Sequence, residues 1–70
     1  MASIKELRNA IRVSQQNVAQ RARINRARLS GAEVGYLNLE PAEESIVRGV
    51  LADLARERYA DFLGRLREAQ

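Results

Sequence analysis

Six arginines stand between Glu6 and Glu33 with no acidic residue among them: Arg8, Arg12, Arg21, Arg23, Arg26 and Arg28. A guanidinium is permanently charged and presents a planar fork of donors. These side chains therefore suit phosphate oxygens, or the O6/N7 edge of guanine, better than nucleophilic or acid–base chemistry. Residues 1–35 carry seven basic and two acidic side chains, a balance of +5. Residues 36–70 carry five basic and seven acidic ones, a balance of −2. A one-sided basic half on a small protein points to a polyanionic partner. The plain alternative is a solvated surface, and the eleven arginines against one lysine are also what a GC-rich genome would give.

Catalytic chemistry is hard to assemble. The chain has no Cys and no His, which removes disulfides, thiol nucleophiles, imidazole bases and nearly all zinc sites. Its 70 residues allow one small core and too little scaffold to wall a reaction pocket. No catalytic residue, metal ligand or cofactor is expected. No apolar run approaches the ~20 residues a membrane span needs. Residues 1–7 lack the apolar stretch of a signal peptide. The expectation is a cytoplasmic protein with no membrane partner.

The elements that must position the arginines are helices. One Pro, no Trp and an abundance of Ala, Arg and Leu form a helix-forming vocabulary. A first helix is predicted over residues 3–12. Ser3 and Glu6 have capping-box spacing, and Ile4, Leu7 and Ile11 make one apolar stripe that leaves Arg8 and Arg12 facing solvent or a ligand. A second is predicted over residues 15–22, capped by Ser14, with Val13 and Val18 spaced as a hydrophobic staple. A third is predicted over residues 26–34, with Asn25 as its cap and Gly35 closing it. After a loop over 36–40, Pro41 opens a last helix to about residue 69, interruptible only at Gly49 or Gly64.

The second and third helices are separated by only Arg23 and Ile24, and the later one is cationic. That describes a helix-turn-helix. Val18 and Ala22 suit its apolar side, Ala19 the crossing point, Ile24 the turn, and Leu29 and Ala32 the anchor of its second helix. Arg26, Ala27, Arg28 and Ser30 are left outside.

On these residues the chain resembles the phage-repressor (Cro/Xre-like) helix-turn-helix family. Ser14-Gln15-Gln16-Asn17-Val18-Ala19 is similar to that family's opening. Asn25-Arg26-Ala27-Arg28-Leu29-Ser30 is similar to its recognition helix, and Glu33-Val34-Gly35 and Pro41 to its closing segments. The resemblance covers about residues 4–54. It implies a site made of Gln15, Gln16, Asn25, Arg26, Ala27, Arg28, Ser30 and Gly31. Gln15 would bond a phosphate and brace the recognition helix. Arg26, Ala27 and Gly31 fall at base-reading positions, and Arg28 and Ser30 at flanking bases or phosphates. Three departures stand out. Arg23 occupies a turn position usually held by Gly, Gly31 offers no side chain where a polar reader is common, and the segment from Gly35 to Pro41 is slightly longer than usual.

Beyond residue 54 the chain continues. Leu51, Ala55, Tyr59, Phe62 and Leu66 recur at spacings of four and three, with Leu63 beside them. A lone helix would leave Phe62, Leu63 and Leu66 wet, an unfavourable arrangement that either a partner or a tail folded back on its own core would relieve. They are expected to pair two copies, because one small domain touches too few base pairs. Two copies would read half-sites about 34 Å apart.

The reading is an all-α chain: a small helix-turn-helix domain of about four helices (1–54) with an extended C-terminal helical segment (55–70). It is expected to be a homodimeric, sequence-specific double-stranded-DNA-binding transcriptional regulator, a repressor. The competing readings are a protein-binding module, such as an antitoxin or phage adaptor engaging a second protein through the C-terminal helix, and an architectural or excision factor.

Overall fold

The computed structural model describes residues 2–68. They form four helices, α1 (Ile4–Ile11), α2 (Gln15–Ala22), α3 (Arg26–Val34) and α4 (Pro41–Glu68), and no strand among the described residues. The expected last-helix end near residue 69 lies outside the described residues, as do residue 1 and residues 69–70 of the two expected segments.

Each of the first three helices begins where a short polar side chain can take an orphan backbone donor. Ser3 Oγ accepts the Glu6 N–H at 3.1 Å, Ser14 Oγ the Asn17 N–H at 3.0 Å, and Asn25 Oδ1 the Ala27 N–H at 2.7 Å. The fourth begins at Pro41, and Glu43 Oε1 reaches back to accept the Glu40 N–H at 2.9 Å.

The helix ends also share a device. Arg12, Arg23 and Gly35 all adopt the left-handed conformation, at φ 58°, 58° and 93°. At each, the next residue's N–H bonds a carbonyl five positions back: Val13 to Arg8, Ile24 to Ala19, and Tyr36 to Gly31. This is the Schellman closure, and at the first two ends the following residue is apolar and turns inward. Gly35 is the residue type that favours this backbone. Arg12 and Arg23 adopt it against a steric cost on the order of 1 kcal/mol each. The expectation that the first helix runs through Arg12 is corrected on this point: Arg12 already lies in the turn.

Val13, Val18, Ala19, Ala22, Leu29, Val47, Leu51 and Leu54 form the buried core, with Ile4, Leu7, Ile11, Ile24, Leu39 and Val50 packed at its edge. α4 lies against α1 and α2, and α2 against α3. The small side chains of Ala19 and Ala22 are what let those backbones come close. α4 runs unbroken through Gly49 and Gly64. Its 28 residues measure about 42 Å at 1.5 Å per residue, which accounts for an overall shape of 47 × 20 × 19 Å. Leu54 is its last buried residue, and just beyond it Glu57 pairs with Arg21 and Arg58 donates to the Arg12 carbonyl at 3.0 Å.

One expected pairing residue is corrected here. Leu51 is 3% exposed and belongs to this chain's own core, so it is not available to a second copy. Ala55 and Leu63 are half-buried, while Tyr59, Phe62 and Leu66 are exposed.

Candidate nucleic-acid interface

The site is built from the back of α3 outward. Glu33 lies on its inner side, with a side chain only 2% exposed. Arg8 of α1 meets it with a bidentate pair, Nε to Oε2 at 2.9 Å and Nη2 to Oε1 at 2.8 Å. The remaining donor of Arg8, Nη1, goes to the Val13 carbonyl at 3.0 Å, and Gln15 Nε2 donates to Glu33 Oε1 at 3.2 Å. Burial alone would push the Glu33 carboxyl up. The hydrogen bonds from Arg8 and Gln15 outweigh it, so the carboxyl is held below its ordinary range, and Arg8 is held above its own. Three helices are tied at one carboxylate, which fixes α3 against α1 and the start of α2. Arg8 is therefore corrected from a solvated cation to a structural one. The bracing expected of Gln15 is made through Glu33.

The outward side of α3 carries the candidate readers. Arg26 and Ala27 are exposed, and Ser30 is half-buried. Val34 continues the same face, and Tyr36, 90% exposed, stands just past the helix end. Gln16 is exposed at the first turn of α2. Asn25 is exposed, but its acceptor is committed to capping α3.

Two expected readers sit elsewhere. At Gly31 a side chain would have to grow toward Leu37: a Cβ there would stand 3.0 Å from Leu37 Cδ2. The position faces the 36–40 loop, and a Cβ there would require the Leu37 side chain to shift by a few tenths of an ångström. Arg28 lies on the flank of α3 and is gripped by Glu43 of α4, Nε to Oε2 at 2.7 Å and Nη2 to Oε1 at 2.6 Å. The Arg28 guanidinium and the Glu40 N–H together hold the Glu43 carboxyl down at about 2.

The arginine run thus separates into two sets. Arg8, Arg21 and Arg28 are paired with Glu33, Glu57 and Glu43. Arg12, Arg23 and Arg26 are exposed and take part in no ion pair among the described residues. Arg23 sits in the turn and Arg26 opens α3, so the unpaired charge gathers at the N-terminal end of the third helix. There the helix dipole adds to it.

Sequence reasoning missed three contributors. Arg23 was read only as an awkward turn residue, yet its left-handed backbone leaves it exposed beside Arg26 in sequence. Tyr36 had a signal, an aromatic residue in a short loop. Glu43 had none beyond its fit to the start of α4, because its bond to Arg28 spans fifteen residues and exists only once α3 and α4 are placed.

No group of three or more potential metal ligands occurs among the described residues. Among the described residues no helix is long and apolar enough to cross a membrane. No protein-family model matches the chain, and neither a curated protein nor a solved structure does.

Proposed function

We propose that this protein is a sequence-specific double-stranded-DNA-binding regulator of the phage-repressor (Cro/Xre-like) kind, which inserts α3 into the major groove and acts as a homodimeric repressor. The observation that carries the reading is the exposed N-terminal end of α3. Arg26 is unpaired there among the described residues, on a short helix joined to α2 by a three-residue turn and braced from behind through Glu33. A guanidinium at that place can match the O6/N7 edge of guanine bidentately, while Ala27 offers an apolar contact for a thymine methyl. Gln16 and Arg23 lie where a helix start and a turn can meet phosphate oxygens.

The pairing of two copies is assigned to the exposed tail of α4. Tyr59, Phe62 and Leu66 form an apolar seam there, with Ala55 and Leu63 beside them. It continues a shallow groove of about 220 Å³ between α1 and α4, lined by Leu7, Ala10, Ile11 and Ala52 among others. That same seam is what favours the second reading, a module that binds another protein. Purification of the native protein separates the two: a stoichiometric second polypeptide argues for the module, a second copy for the regulator.

The function is tested by gel shifts on the duplexes that copurify with the protein. Arg26→Ala should reduce the preference for the copurifying sequence over random duplex by roughly tenfold to a hundredfold, the worth of one bidentate base contact. An equal loss on both duplexes would refute the readout role of Arg26.

A further inference from the structure

α3 carries two arginines, and the structure treats them differently. Arg26 is exposed and unpaired among the described residues, while Arg28 is held by Glu43 through two short parallel bonds. Glu43 is itself fixed. Its Oε1 also accepts the Glu40 N–H at 2.9 Å, and its backbone belongs to the first turn of α4. The carboxylate therefore cannot swing away without uncapping a helix. It also stands beside α3, where any approaching phosphate would meet its negative charge.

We infer that Glu43 is a specificity-setting residue: it holds Arg28 out of contact with DNA, so that Arg26 supplies the only cationic contact from α3. The inference rests on the DNA-binding reading and refines it. A second free arginine would add affinity for every sequence alike, because phosphate contacts carry no base information. With Arg28 neutralised, a larger share of the binding from α3 depends on the base edge that Arg26 meets. The device trades strength for discrimination, and it does so with an acid from the neighbouring helix instead of by removing the cation.

Counterion release gives the test, since each phosphate neutralised adds about 0.9 to the slope of log affinity against log salt. The measurement is fluorescence anisotropy on a mixed-sequence duplex of about 20 base pairs over roughly 50–200 mM salt. The proteins are the native chain, Glu43→Gln, Arg28→Ala and the double variant. Gln retains an acceptor for the Glu40 N–H and loses the charge. Glu43→Gln should steepen the slope by about 0.9 and tighten non-specific binding roughly fivefold to tenfold at 100 mM salt. Arg28→Ala in the otherwise native chain should leave the slope unchanged, and in the double variant it should cancel the gain. Glu43→Ala should reproduce the steepening if charge and not the cap is responsible, with helix content checked by circular dichroism.

The inference is overturned if Arg28→Ala alone flattens the slope by about 0.9 while Glu43→Gln adds nothing, because Arg28 would then already grip phosphate. If the folded native chain binds no duplex at low salt, the DNA-binding reading itself fails, and the inference falls with it.

Discussion

The two halves of α4 are one unbroken helix with two different surroundings. Its first half rests on α1 and α2 through Val47, Leu51 and Leu54, which are all buried. Its second half shows Tyr59, Phe62 and Leu66 to solvent. Helix propensity does not distinguish the halves, since neither Gly49 nor Gly64 breaks the ladder. The difference is in where the apolar residues lie. At 100° per residue, the face centred on Val47, Leu51 and Leu54 and the face centred on Tyr59, Phe62 and Leu66 are roughly a quarter of a turn apart. The tail seam is thus turned away from the centre of the core contact while sharing its edge at Leu51 and Ala55. Burial stabilises the head, and in the tail the described contacts with the rest of the chain are the polar ones of Glu57 and Arg58, which leave the apolar seam exposed.

The largest effect that this contrast predicts is in the head. Leu29 is fully buried, at 0% exposure. Leu29→Ala should cost about 3 kcal/mol and lower the melting temperature by more than about 10 °C. A loss below about 1 kcal/mol would mean that the head is not packed as described.

The next effect is at the junction of three helices. Glu33→Ala should cost about 2 kcal/mol, because it strands Arg8 in a half-buried position. The same carboxyl has a pH signature. Its pKa in the fold lies below the ordinary value of 4.5, so its contribution is fully present above that value and is lost as pH falls through the lowered one. Thermal melts of Glu33→Gln should therefore depend less steeply on acid pH than those of the native chain. Equal dependence would place the acid sensitivity elsewhere.

These two regions also differ in how far they were legible from sequence. The start of α2 and both ends of α3 follow from Ser14, Asn25 and Gly35, because caps and breakers act within a few residues. The core residues Val18, Ala19, Ala22 and Leu29 follow from helical spacing for the same reason. The left-handed Arg12 was not foreseen, since nothing in its residue type favours that backbone. The role of Arg8 was missed and that of Glu43 unseen, because each ion pair joins positions 25 or 15 residues apart. Leu51 was assigned to a partner surface because a stripe on a helix does not say which end of it the core will use.

A smaller effect is expected in the tail. Phe62→Ala should change the stability of the dilute head by no more than about 0.5 kcal/mol. It should weaken self-association at least roughly tenfold by sedimentation equilibrium, as removal of a large aromatic anchor does. A native chain that stays monomeric at high concentration would instead assign the seam to another protein. Smallest of all is the turn between α2 and α3. Arg23→Gly should relieve the left-handed strain and raise stability by about 0.5–1 kcal/mol, while removing one exposed cation.

The most direct test of the central claim, that the exposed end of α3 reads DNA sequence, is selection of duplexes from a random pool by the purified protein. The native chain should enrich an inverted repeat with half-site centres about 34 Å apart, and Arg26→Ala should lose the enrichment at one base pair in each half. Retention of duplexes with no enriched sequence, or the same enrichment by Arg26→Ala, would contradict it.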